Sequence, residues 1–182
     1  MKKLFTSSIL LASVFLLSVS LTAHLSFFEE LDYSQEKPFV VSDSIENAKA
    51  VFARLEPASD IDVYTFTVTA PRRVHARAFV PRVSGLEQFL PSLAVAGPGL
   101  PPAIEKLPFA LPAGYGAVVV NNIKPGKKRP LFYEPFSGKE YYDAPAFDQT
   151  VSAPGTWYVF YWDPYNSGGD YVAILGFREE FF

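Results

Sequence analysis

The sequence contains no cysteine and has two histidines, His24 and His75. Disulfide bonds, thiol chemistry and cysteine-ligated zinc are therefore excluded, and the two histidines do not stand at the spacing of a zinc site. A catalytic base or nucleophile needs a partner side chain nearby. His75 lies between Val74 and Ala76 in a run typical of a β-strand. We interpret it as a structural residue on the solvent face of that strand.

Long helices and an excess of positive charge are also missing. Sixteen prolines among 182 residues interrupt the chain too often for long helices. The 19 acidic residues outnumber the 16 basic ones, which argues against nucleic acid as a partner. The sequence has no Gly-x-Ser-x-Gly motif and no glycine-rich loop that opens a helix, so neither a serine-hydrolase elbow nor a phosphate-binding loop is predicted.

The first 23 residues have the organisation of a secretory signal peptide. Lys2 and Lys3 precede an uncharged, mostly apolar stretch from Leu4 to Leu21, and Ala23 suits the last position before cleavage. The alternative is an uncleaved membrane anchor, because the uncharged stretch is about as long as a spanning helix requires. We predict a secreted or otherwise extracytoplasmic protein (periplasm or cell surface) with no integral membrane segment after cleavage.

The remaining chain is predicted to be an N-terminal lead, residues 24–35, followed by one all-β domain, residues 36–182. The lead is expected to form a helical turn or to stay loose. Short strands separated by frequent turns, without strand–helix alternation, predict an antiparallel β-sandwich that is jelly-roll-like. The predicted strands cover residues 39–41, 50–55, 61–69, 74–81, 90–96, 113–121, 131–134, 140–150, 156–162 and 171–177.

Alternation within these runs predicts which side chains are buried. In the run 61–69, Tyr64, Phe66 and Val68 share one face and should point inward. In the run 74–81, the small and branched face that begins at Val74 should be buried. The run 156–162 carries large aromatic residues on both faces. We expect one of these faces to fill the core, and the other either to pack under a covering loop or to form a binding surface.

Three segments resemble a known family. Leu55–Phe66 (LEPASDIDVYTF) contains an Asp-x-Asp-x-Tyr-x-Phe pattern that leads into a strand, and Pro154–Val159 (PGTWYV) and Gly169–Ile174 (GDYVAI) look like a closing hairpin. Together they resemble bacterial pre-peptidase C-terminal-type (PPC-like) β-sandwich domains. The resemblance covers residues 45–180 apart from a long middle at 82–150. It implies a non-catalytic module that accompanies secreted enzymes or surface proteins and serves in binding, spacing or stabilisation. Some members of the family bind calcium.

Acidic residues in turns are the candidates for a metal site. Asp60 and Asp62 begin a strand on one face, and Asp163 and Asp170 flank the last hairpin loop. Calcium takes six to eight oxygen ligands from carboxylates, amides and carbonyls, which loops at the end of a sandwich can supply. The alternative is that these aspartates are turn formers that accept hydrogen bonds from nearby backbone amides. The sequence leaves calcium as a possible ligand and predicts no other cofactor.

Aromatic residues near the last hairpin are the candidates for a ligand surface. Trp162, Tyr165 and Tyr142 could form a platform on which a sugar ring stacks, and the alternative is that they belong to the core. We predict a secreted, non-catalytic binding or structural module whose partner is a protein or a glycan. A calcium-stabilised carbohydrate-binding module is the first alternative, and a hydrolase that uses two carboxylates is the second. Phe181 and Phe182 are expected either to fold back onto the sandwich or to dock into a partner.

Overall fold

A computed structural model describes residues 25–135 and 137–179. Over these ranges the chain forms twelve β-strands and no helix, which confirms the all-β class. A membrane-crossing helix of sufficient length and apolar character is accordingly not found in the described ranges. The predicted signal peptide at residues 1–23 and the Phe181–Phe182 pair lie outside the described residues.

Eleven of the twelve strands fall within or overlap the predicted runs, and β1 is the exception. In chain order the twelve are β1 Leu25–Phe28, β2 Phe39–Val40, β3 Lys49–Leu55, β4 Ile61–Val68, β5 Arg72–Pro81, β6 Ser92–Pro98, β7 Tyr115–Val120, β8 Leu131–Glu134, β9 Lys139–Asp143, β10 Phe147–Val151, β11 Gly155–Trp162 and β12 Gly169–Leu175.

The strands form two mixed sheets. Sheet A has the order β1-β3-β12-β5-β9-β8, with β10 also paired to β5, and sheet B has the order β2-β4-β11-β6-β7. Eight of the pairings are antiparallel, as predicted, but β1–β3 and β2–β4 are parallel. A parallel pair cannot be joined by a tight hairpin. The chain meets this requirement by alternating between sheets, so that β2 in sheet B separates β1 from β3, and β3 in sheet A separates β2 from β4.

The core lies between the two sheets and is rich in aromatic rings. Tyr64, Phe66 and Val68 point inward from β4 and are at most 2% exposed, as predicted. Across the sheets, the Tyr64 hydroxyl lies 3.1 Å from the hydroxyl of Tyr171 on β12. The Tyr161 and Tyr171 rings are 5.2 Å apart. These contacts join sheet B to sheet A with large side chains and without disulfides.

Two segments differ from the prediction in ways that matter for the site. The lead, predicted as a helical turn or a loose segment, contains β1, which pairs with β3 at the edge of sheet A. The run 140–150, predicted as one strand, is two strands separated at Pro145, and both halves pair with β5. Proline has no N–H to donate to the ladder, so the pairing is interrupted there and resumes at Phe147.

The outer faces of the two sheets differ in how the described chain covers them. On sheet B, the loop of residues 99–114 packs over Phe160 and Trp162, and the Phe109 ring stacks on Phe160 with centroids 4.0 Å apart. On sheet A, a third apolar cluster includes Phe79, Val172 and Ile174 and forms the floor of an open groove.

Candidate metal centre and apolar groove

Three carboxylates meet where the N-terminal segment crosses from sheet A to sheet B. Glu29 directly follows β1, Asp32 lies three residues further on, and Asp62 is the second residue of β4. One carboxylate oxygen from each residue lies within 4.8 Å of the other two. Like charges this close repel one another unless they are neutralised by protons or by a cation.

Asp62 is the buried member of this cluster, with 0% of its surface exposed. Its Oδ2 accepts a hydrogen bond of 2.6 Å from the hydroxyl of Tyr171. Its Oδ1 has no hydrogen-bond partner among the described residues. Burial, together with the nearby charges of Glu29, Asp60 and Asp32, raises the pKa of Asp62 to about 8, against a smaller lowering by the Tyr171 hydrogen bond. When such a buried carboxylate with an unpaired oxygen is ionised and has no cation beside it, its charge destabilises the folded state.

Glu29 is held in place by backbone amides. Its Oε2 accepts a 2.8 Å hydrogen bond from the amide of Arg54, and its Oε1 accepts a 3.3 Å bond from the amide of Tyr33. Burial raises the pKa of Glu29, and these two backbone hydrogen bonds oppose that rise. The carbonyl of Tyr33 in turn accepts a 2.6 Å bond from the amide of Val63 on β4. The crossing segment is thereby tied to both sheets on either side of Asp32.

The donor set of this cluster fits a hard divalent cation. Calcium prefers oxygen ligands, and three carboxylates converge here with one buried oxygen that has no other partner. A bound cation would compensate the mutual repulsion of Glu29, Asp32 and Asp62 and would return the pKa of Asp62 toward the ordinary range. Glu29, Asp32 and Asp62 are the residues that would hold it.

The structure brings two of the four predicted metal residues to this region. Asp60 lies near enough that its charge raises the pKa of Asp62, but its own carboxylate accepts hydrogen bonds from the amides of Ile61, at 2.7 Å, and Glu56, at 3.3 Å. Asp60 therefore has the turn-forming contacts that the alternative interpretation describes. Asp62 belongs to the carboxylate cluster.

The other two predicted metal residues lie in the last hairpin. Asp163 is buried and accepts three backbone hydrogen bonds, from the amides of Tyr165, Ser167 and Gly168. These contacts close the loop between β11 and β12. Asp170 is exposed, and one of its oxygens lies 3.6 Å from the guanidinium of Arg54. The four aspartates therefore do not share one coordination site.

Glu29 and Asp32 were not among the residues singled out in the sequence. They belong to a short acidic stretch after Leu25–Phe28, and nothing local indicates that this stretch meets Asp62, which is thirty residues away from Asp32. The apolar run Leu25–Phe28 directly before them is a weak strand signal. Recognising it as a strand would have placed the acidic stretch at a sheet edge.

The predicted aromatic platform is divided between three environments. Trp162 is 8% exposed and packs edge-on against Phe109, with ring centroids 5.5 Å apart. Tyr142 is covered by the guanidinium of Arg129, which lies 4.1 Å from its ring centroid. Tyr165 is 50% exposed. The three rings therefore do not form one solvent-facing row.

A larger apolar surface lies on the outer face of sheet A. A groove of about 620 Å³ runs over strands β3, β12, β5 and β9 and beneath the β8–β9 hairpin. Its floor includes Phe52, Val172 and Phe79, which are direct neighbours across adjacent strands. Phe132 from β8 stacks on Phe79 with centroids 4.7 Å apart. A groove of this volume is in the range of ligand-binding sites.

Comparison with solved structures finds a protein of the family that the sequence motifs resemble. The chain is similar to the pre-peptidase C-terminal domain of a collagenase from Bacillus anthracis, with 12% sequence identity and a TM-score of 0.35. The match covers 84% of this chain and 96% of that domain. No protein-family profile and no curated protein matches the chain. The strand pairing and the core between the two sheets, and not this similarity, define the β-sandwich fold of the chain.

Proposed function

We propose that this chain is a non-catalytic β-sandwich module that works outside the cytoplasm and that a divalent cation of the calcium class fastens its N-terminal segment to the sandwich. The observation that carries the proposal is Asp62, a fully buried carboxylate that has one unpartnered oxygen and lies in a cluster with Glu29 and Asp32. The two-lysine start and the apolar segment of residues 4–21 support export. Calcium is abundant outside cells, where such sites have low affinity.

The role of the cation follows from where the cluster lies. Glu29 comes from the segment that leaves sheet A, whereas Asp62 belongs to sheet B. A cation shared by the two residues connects the sheets at the edge formed by β1 and β2. A chain without disulfides gains most from such a connection at an edge, where the short β2 pairs over two residues only. The cation therefore stabilises the module and holds its surface in one arrangement.

Thermal unfolding with and without calcium tests the proposal. We expect about 10 mM Ca²⁺ to raise the Tm of the protein by about 5–10 °C over the value in EDTA, because this concentration is roughly a hundred times a Kd of about 0.1 mM and adds about 2.7 kcal/mol to the native state. Asp62→Asn preserves the size of the side chain and its bond with Tyr171 but removes the charge. This variant and Glu29→Gln should lose most of the calcium-dependent rise.

Asp170→Asn is the matched control, since Asp170 lies outside the carboxylate cluster. It should keep the full response to calcium. An unchanged Tm of the unmodified protein in Ca²⁺ would contradict the proposal and would leave Asp62 as a protonated carboxyl that is satisfied by Tyr171. A response that Asp170→Asn abolishes and Asp62→Asn retains would place the cation in the last hairpin instead.

A further inference from the structure

The groove on the outer face of sheet A has a floor made of side chains from central strands. Ala50, Phe79, Tyr141, Val172 and Ile174 form one apolar cluster there, and each is at most 9% exposed. The strands that carry them, β3, β12, β5 and β9, each pair with other strands on both sides. Their backbone N–H and C=O groups are therefore directed at neighbouring strands. The floor offers apolar contact and presents no strand edge to a ligand.

Such a floor suits a ligand whose buried part carries no polar group. A peptide laid across it would bury amides and carbonyls where no strand edge can pair with them, which is unfavourable. An alkyl chain has no such groups and gains free energy when it leaves water for an apolar surface. At the centre of the floor, Val172 lies between Phe52 and Phe79 on the adjacent strands. An aliphatic side chain flanked by two rings provides that surface.

Two polar groups stand together at one end of the groove. Lys139 and Tyr141 are two residues apart on β9, so their side chains project from the same face of the sheet. Both line the groove and also a second hollow of about 590 Å³ that adjoins it. Tyr141 is only 5% exposed, yet among the described residues its hydroxyl has no hydrogen-bond partner and Lys139 has no ion-pair partner. An ammonium and a hydroxyl that both donate are the groups that bind a carboxylate.

The acidic residues of the groove do not neutralise this end. Glu134 is paired with Lys139 in register across β8 and β9, but its carboxylate accepts a 2.5 Å hydrogen bond from the amide of Ser137 in the turn between them. Glu179 also lines the groove, and it follows the Ile174 end of β12, opposite to the end at Lys139. The groove is therefore acidic at one end, apolar along its floor and basic at the other end.

The length of the floor sets the length of the alkyl chain. Ile174 lies opposite Arg77 of β5, and Tyr141 lies opposite Pro81 of the same strand. Four residues along a strand span about 13 Å. An extended chain of medium length, such as that of decanoate, fits between the two positions. A groove of about 620 Å³ also has room for a ligand of this size.

We propose that the groove on sheet A binds a medium-chain alkyl carboxylate. The alkyl chain lies on the floor along Phe79, Val172 and Ile174, and the carboxylate accepts hydrogen bonds from the Lys139 ammonium and the Tyr141 hydroxyl. The positive end of the groove and its apolar floor together match the two parts of such a ligand. This inference does not depend on the cation site, because the carboxylate cluster contains no residue that lines the groove.

Calorimetric titration of the purified protein with sodium decanoate tests the proposal. We expect one ligand per chain and a Kd in the micromolar range, well below the concentration at which decanoate forms micelles. EDTA is present throughout, so that calcium soaps do not form and the result is separate from that of the cation site. Decyltrimethylammonium has the same alkyl chain with the opposite charge and should bind at least about tenfold more weakly.

Two conservative variants remove the contacts to the carboxylate one at a time. Lys139→Gln and Tyr141→Phe should each weaken decanoate binding about five- to tenfold. Lys139→Gln should leave the affinity for the neutral decan-1-ol unchanged, because that ligand has no charge to lose. Lys128→Gln is the matched control, since Lys128 is exposed in the loop before β8 and does not line the groove. It should bind decanoate as the unmodified protein does.

Photo-crosslinking locates the alkyl chain. A decanoate that carries a diazirine at its terminal carbon should crosslink chiefly to Val172 and Ile174, as mapped by mass spectrometry. Crosslinks outside the groove, equal binding of the ammonium ligand, or an affinity for decanoate that Lys139→Gln leaves unchanged would each overturn the proposal. Absence of decanoate binding would also overturn it, and a dimer in analytical ultracentrifugation would then favour a second copy of the chain as the occupant.

Discussion

The two outer faces of this sandwich carry similar aromatic residues, but the described chain covers one and leaves the other open. On sheet B, residues 99–114 pack over Phe160 and Trp162. On sheet A, Phe79 and Val172 lie at the bottom of a groove. The comparison shows that aromatic residues on both faces of a strand do not by themselves identify a binding surface. The two faces differ in that a loop among the described residues covers sheet B and none of the described loops covers the groove on sheet A.

The cover over sheet B is fixed by backbone contacts as well as by rings. The amide of Ala117 on β7 donates a 3.1 Å hydrogen bond to the carbonyl of Pro101 at the start of the loop. At Gly116, a Cβ atom would lie 2.1 Å from the carbonyl oxygens of Leu100 and Pro101, so only glycine allows the loop to approach this closely. The loop is therefore part of the folded structure, and a ligand that displaced it would have to break these backbone contacts.

The largest expected effect comes from removing the ring that covers sheet B. Phe109→Ala deletes the ring that stacks on Phe160 and contacts Trp162. Truncation of a fully buried phenylalanine to alanine lowers the free energy of unfolding by about 3–5 kcal/mol. Phe109 is only half-buried. We expect a loss of about 2–3 kcal/mol, measured as a lower midpoint in urea unfolding. A change below about 1 kcal/mol would mean that the loop is held by its backbone contacts alone.

A smaller effect is expected from the equivalent ring on sheet A. Phe132→Ala removes the partner of Phe79, but Phe132 is 37% exposed and lies on the edge strand β8. The expected loss is about 1 kcal/mol, in the range of an aromatic pair, again from urea midpoints. If this variant costs as much as Phe109→Ala, the two outer faces are equally packed and the comparison fails.

Alternation predicted the inner layer well. The inward faces of β4 and β5 follow directly from period-two patterns in which one face is larger or more branched, and Tyr64, Phe66, Val74 and Ala76 are all buried. The expectation that one face of the run 156–162 fills the core is also confirmed, because Trp157, Val159 and Tyr161 belong to it. The opposite face packs under a covering loop, which was one of the two alternatives left open.

Contacts between distant segments could not be predicted in the same way. The meeting of Glu29 with Asp62 depends on the parallel pairing of β1 with β3, which no local pattern specifies. A short strand such as Leu25–Phe28 gains its stability from its neighbour and has little periodicity of its own. Turn-forming aspartates and cation ligands also use the same residue type in the same kind of loop. Asp163 and Asp62 were therefore equivalent in the sequence, although the first accepts three loop amides and the second has an unpaired oxygen.

The smallest expected effect concerns the polar part of the outer face of sheet A, beside the groove. Arg73 on β5 donates two hydrogen bonds of 2.7 Å to Asp148 on β10, and His75 Nδ1 lies 3.4 Å from the same carboxylate. The hydrogen bonds from Arg73 hold the pKa of Asp148 at about 2, below its ordinary value of 3.8, with a further lowering by His75. The outer face of sheet A carries these charged groups, whereas the outer face of sheet B carries the apolar loop of residues 99–114.

Because the pKa of Asp148 is lower in the folded state, the unfolded state takes up a proton first as the pH falls. The contribution of this pair to stability is therefore complete above about pH 4 and disappears as the pH falls toward about 2. We expect Asp148→Asn to lower the urea midpoint slightly at pH 6 and to match the unmodified protein near pH 2. Arg73→Met removes the same pair from the other side and should give the same convergence. A gap between variant and unmodified protein that stays constant from pH 6 to pH 2 would show that Asp148 acts through packing, as Phe109 does on sheet B, and not through its charge.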